Sequence, residues 1–76
     1  MAFVEKFDKE NMNFKRKHDT AETTYSSGVI NGETIFQINM YGSADRQCKG
    51  KVSQVIQLNQ ESADELVNLL KKTFCF

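Results

Sequence analysis

The residue types able to do acid–base or covalent chemistry are few in this sequence, and they stand far apart. The single histidine, His18, lies in the polar run Lys15-Arg16-Lys17-His18-Asp19, with no serine or cysteine held beside it by a recognisable spacing. A side-chain nucleophile needs a base within hydrogen-bond reach and a third group to orient that base, so His18 reads as a surface residue. Asp64 and Glu65 are sequence neighbours. On a helix, adjacent side chains point in different directions, so these two do not form the carboxylate pair whose acidities an enzyme drives apart. Cys48 and Cys75 make no CxxC and have no His/Cys cluster around them, which removes a zinc site. Both read as free thiols of a reducing cytoplasm. No phosphate-cradling glycine loop, dinucleotide fingerprint or HExxH is present, and 76 residues leave little room for a drug-sized pocket. The expectation is a protein that is not an enzyme and that carries neither metal nor cofactor.

Binding chemistry is better represented. The ten basic and ten acidic residues cancel, so no overall field draws the chain to nucleic acid or to an anionic membrane. The charges are unevenly spread, however. Residues 21–42 carry only Glu22 and Glu33, whereas residues 43–58 carry Arg46, Lys49 and Lys51 against Asp45. Beside this basic stretch stand strands rich in hydroxyls and amides. Lys15–His18 reads either as a solvated loop or as an arm that contacts phosphates.

The elements that position these groups follow from local pattern. Asn31-Gly32 separates two β-rich runs, and this dipeptide suits a two-residue type I′ turn, whose central residues both need positive φ. Register then follows: Ile30 faces Glu33, Val29 faces Thr34, Ser27 faces Phe36 and Tyr25 faces Ile38. One face carries Tyr25, Val29, Phe36, Ile38 and Met40 and is the expected core. The other carries Thr24, Ser26, Ile30, Ile35, Gln37, Asn39 and Tyr41. Gly42–Gly50 reads as a flexible loop, and Lys51–Leu58 as a third strand that adds Ser53, Val55 and Gln57 to the polar face. Asn59 is a good helix N-cap. Ala63, Leu66, Val67, Leu70 and Phe74 then form one apolar helical stripe, placed to cover the Phe36/Ile38/Met40/Ile56/Leu58 face. Residues 1–20 read as a weakly ordered element and linker in which Phe3, Val4 and Phe7 fit a helix and Phe3, Glu5 and Phe7 fit a strand. The expected fold class is α+β, with residues 21–76 forming a single domain in which an antiparallel β-meander packs on one C-terminal amphipathic helix.

So short a chain has a small core and no obvious staple, which makes a homodimer the expected source of further buried area. No apolar run has the length of a membrane span, and the start has no signal-peptide apolar segment. The expectation is a soluble cytoplasmic protein that does not enter membranes.

The strand Thr34-Ile35-Phe36-Gln37-Ile38-Asn39-Met40-Tyr41 is followed by the loop end Lys49-Gly50-Lys51. After it, Ile56-Gln57-Leu58-Asn59-Gln60-Glu61 leads into Leu66, Leu69 and Leu70. Over about residues 33–74 this pattern resembles the PC4-like (transcriptional coactivator) family of single-stranded-DNA-binding proteins. The resemblance implies a strongly curved antiparallel sheet before a C-terminal helix, paired into a dimer whose sheets grip single strands by basic and aromatic residues. It also implies roles for Arg46, Lys49, Lys51 and an exposed Tyr41. From the residues themselves, Gln37, Asn39, Tyr41 and Ser53 on the open face, with Arg46, Lys49 and Lys51 in the loop, are the candidate binding residues. Single-stranded DNA or RNA is the first expected ligand, its bases stacking on the tyrosine and its phosphates meeting the basic loop. The alternative is a protein-interaction module, a small inhibitor or adaptor of phage or mobile-element type. It would use the same face or the free sheet edge.

Overall fold

The computed structural model of the chain describes residues 1–43 and 52–76. It is an α+β fold in which one mixed four-stranded sheet is followed by a single helix. The strands are β1 (Ala2–Val4), β2 (Ala21–Ile30), β3 (Glu33–Ser43) and β4 (Val52–Leu58), and helix α1 spans Gln60–Thr73. Spatial order is β1-β4-β3-β2. The expected antiparallel meander is therefore present as β2-β3-β4. The N-terminal segment, left open between helix and strand by its pattern, adds β1 in parallel to β4, with Ala2 opposite Ile56 and Val4 opposite Leu58.

The hairpin follows from its turn. Asn31 and Gly32 both hold positive φ, 52° and 80°, as a type I′ turn requires. The register is the expected one throughout, from Ile30 opposite Glu33 to Tyr25 opposite Ile38. The helix start is equally local in origin. Asn59 Oδ1 accepts from the Ser62 amide at 3.0 Å, and Ser62 Oγ accepts from the Asn59 amide at 3.1 Å. This capping box satisfies two backbone donors that would otherwise be orphaned. It also explains why a polar residue, Ser62, is fully buried. Lys71 and Lys72 stand in the last turn, where the macrodipole favours cations.

Burial departs from expectation. Among the described residues only Leu58 (4 % exposed) and Ile35 (6 %) are buried apolar side chains. By strand alternation they lie on opposite faces, Leu58 with Phe36 and Ile35 with Gln37. Ile35 had been expected on the open face. Both residues flank the point where β4 passes into the helix, and Asn59 Nδ2 ties that point to β3 by donating to Glu33 Oε2 at 3.1 Å. Tyr25 and Val29, expected in the core, are 77 % and 68 % exposed. Helix α1 meets β3 and β4 and leaves β2 bare. Along it, Ala63, Leu66 and Leu70 are half-buried, while Val67 and Phe74 are exposed.

The result is an open chain with little apolar burial. Its accessible surface is 7080 Å², roughly 2,300 Å² more than the ~4,700 Å² of a compact monomer of 8.7 kDa. Its radius of gyration is 14.6 Å, against about 11 Å for a compact chain of this length.

Candidate nucleic-acid interface

The polar face of the sheet is organised by side-chain amides at matching register positions. Gln57 lies opposite Gln37, and Asn39 lies opposite Thr24. Side chains two apart on β3 share the same face, so four polar groups from three strands meet. Gln57 Nε2 donates to Gln37 Oε1 at 2.8 Å, Gln37 Nε2 donates to Asn39 Oδ1 at 2.8 Å, and Asn39 Nδ2 donates to Thr24 Oγ1 at 3.3 Å. This ladder runs in one direction from β4 through β3 to β2. Each primary amide has two N–H donors and two lone pairs, so Gln37 and Asn39 are oriented by the ladder and still hold hydrogen-bonding capacity for a ligand.

Beyond the ladder the sheet is irregular on both sides of β3. Pairing slips between Ala21 and Thr23 on β2. On the other flank it slips between Met40 and Tyr41, so that Val52 comes opposite Tyr41. Ser53 is the extra residue of this second bulge, and its hydroxyl donates to the Met40 carbonyl at 2.9 Å. Bulges bend a strand and increase its local twist. Two of them at one level bend the sheet where β3 leads toward residues 44–51.

The structure thus brings Gln37 and Asn39 together and places Ser53 at the bulge. Tyr41, expected to be exposed, is half-buried. Arg46, Lys49 and Lys51 lie outside the described residues. The ladder adds Gln57 and Thr24 to the candidate residues: the hairpin register identifies Thr24 opposite Asn39, whereas Gln57 opposite Gln37 follows only from the pairing of β3 with β4. The most exposed sheet aromatic is Tyr25, on the opposite face. It stacks on Phe36 with ring centroids 5.8 Å apart and planes inclined by 24°.

The described residues also line concavities. A shallow one of about 170 Å³ on β2 and β3 is lined by Ser26, Ser27, Gly28, Ile30, Ile35 and Gln37. A groove of about 540 Å³ runs between Phe7–Glu10 and the helix at Leu69, Lys72 and Thr73, beside the point where the Phe7 amide donates to Glu65 Oε1. That groove is larger than so short a chain was expected to offer. His18 and the other residues of 11–20 are exposed and belong to neither helix nor strand. Cys75 is an exposed free thiol. Among the described residues no three His, Cys, Asp or Glu side chains gather as a metal site, and no helix is long and apolar enough to cross a membrane. No family model matches the chain, and comparison with curated proteins and with solved structures finds no match.

Proposed function

We propose that this chain is a non-enzymatic, homodimeric module that binds single-stranded nucleic acid through its polar sheet face and the basic residues of 43–51. The amide ladder carries this reading. Single-stranded ligands are recognised by donors and acceptors that meet splayed-out base edges, and Gln37 and Asn39 are held in place for that task before any ligand arrives. The paired bulges support the reading, because bending and added twist at the end of the polar face suit a surface that follows a single strand. The curved-sheet pattern of the PC4-like family leads to the same ligand.

Titration of labelled single-stranded oligonucleotides at low salt tests the proposal. Binding is expected to weaken steeply as salt rises, and Arg46→Ala combined with Lys49→Ala is expected to flatten that salt dependence. Gln37→Ala with Asn39→Ala is expected to weaken binding at every salt concentration without changing the slope. An absence of binding at tens of micromolar protein would overturn the reading.

A second reading, a module that docks on another protein, is supported by the exposed Tyr25, Phe36 and Val29. It predicts one stoichiometric protein partner whose recovery is insensitive to nuclease, and repeated recovery of none would count against it.

A further inference from the structure

The two edges of the sheet are guarded very differently. β1 is three residues long, and a short edge strand offers little to an incoming chain. β2 is ten residues long and has no neighbour on its outer side among the described residues. From Thr23 to Ile30 it contains no charge and no proline, so it lacks the devices by which natural edge strands discourage pairing.

Its outward-facing backbone groups follow from the turn. In a two-residue hairpin the residues flanking the turn form a hydrogen-bonded pair, and bonded and unbonded pairs then alternate. Ile30, Gly28, Ser26 and Thr24 therefore direct N–H and C=O toward β3, opposite Glu33, Ile35, Gln37 and Asn39. Val29, Ser27, Tyr25 and Thr23 direct theirs to the open edge. The same alternation puts the Tyr25, Ser27 and Val29 side chains on one face.

This edge is complementary to itself. Two antiparallel copies of β2 centred on Ser27 would set Ser27 opposite Ser27, Tyr25 opposite Val29 and Val29 opposite Tyr25. All of these are hydrogen-bonded pairs, and aromatic against β-branched is a favourable cross-strand pairing. Gly28 would lie opposite Ser26 on the other face, so the residue with no side chain adjoins a small one. The strand also has surface to lose: every residue of β2 is exposed, Tyr25 and Val29 at 77 % and 68 %.

We infer that the second copy of this chain docks edge to edge along β2, with the two-fold axis at Ser27, to form one continuous eight-stranded sheet. The axis stands perpendicular to the sheet, so each face is preserved across it and both amide ladders lie on the same side. This rests on the dimer reading given above and goes further by naming the contact and its register. The interface is isologous and closed, and it leaves only the short β1 edges free.

The test uses the full chain and light scattering coupled to size exclusion. The unmodified protein is expected to run as a dimer and Ser27→Pro as a monomer with unchanged circular dichroism. At position 27 the lost N–H faces outward, and proline is tolerated on an edge strand in that position. An independent variant combines Ser27→Cys with Cys48→Ser and Cys75→Ser. Opposed residues of a hydrogen-bonded pair have Cα atoms about 5.5 Å apart, within disulfide reach. A mild oxidant is therefore expected to give a covalent dimer, which Gln54→Cys on β4, in the same background, does not give. A protein that is dimeric in solution but shows no Ser27→Cys cross-link, and whose Ser27→Pro variant stays dimeric, would overturn the edge contact and leave the dimer standing on another surface. A protein that is monomeric at all concentrations would overturn both.

Discussion

The strand–helix junction and the β2–β3 ribbon use similar residues and meet opposite fates. At the junction, Ile35 and Leu58 are buried from two sides, Ser62 is enclosed by its own capping box, and Asn59 reaches back to Glu33. On the ribbon, Tyr25, Val29 and Ile30 stand in regular register and are largely exposed, Tyr25 having only Phe36 stacked against it. Regular pairing therefore does not imply a packed core. The ribbon is held by its turn and its ladder of backbone bonds, whereas the junction is held by apolar burial and a cap. Apolar burial within the chain is concentrated at the junction, and the ribbon contributes surface.

That contrast predicts where substitutions cost most. Leu58→Ala is expected to be the most damaging, at about 2–5 kcal/mol by analogy with other buried leucines, read by denaturant unfolding. A loss below about 1 kcal/mol would place the core elsewhere. Gly32→Ala forces a side chain to φ of 80° and is expected to cost about 1–2 kcal/mol. Its measurable sign is a lowered melting temperature, with helical circular dichroism retained up to the transition. Asn59→Ala removes the acceptor for the Ser62 amide and is expected to cost about 1 kcal/mol, visible as frayed helix signal. Tyr25→Ser should change the stability of a dilute single chain by no more than about 0.5 kcal/mol. In concentrated solution the same substitution is expected to abolish the rise of melting temperature with protein concentration that an associating protein shows. An equal loss at all concentrations would mean that the ribbon is packed within its own chain.

These two regions also differ in how legible they were. The Asn31-Gly32 turn, the register it sets and the Asn59 cap were all readable from sequence, because each depends on a few adjacent residues. Coverage was not readable. Period-two alternation identifies the face Tyr25 is on, but not whether a helix that begins 35 residues downstream reaches it. The same limit hid the burial of Ile35, which does share its face with Gln37, and the half-burial of Gln37, Asn39 and Tyr41 on that face. Gln37, Asn39 and Ser53 were legible as members of a polar face. The ladder that unites Gln37 and Asn39 with Gln57 and Thr24 needed three strands in place. β1 went unread because residues 3–7 fit two periods and their pairing partner is far along the chain.

The parallel pairing of β1 with β4 has a consequence for the order in which the protein assembles. Ala2 meets Ile56 across 54 positions, whereas Ile30 meets Glu33 across a two-residue turn. Closing the larger loop costs more chain entropy, and during synthesis β1 exists long before its partner strand does. The hairpin can zip while β1 waits, so β1 is expected to fasten last, as a clasp. In the finished protein the amides of Phe3 and Val4 are expected to exchange with solvent well before those of the inner strand β3. Protection at β1 equal to that of β3 would mean instead that the chain opens only as a whole.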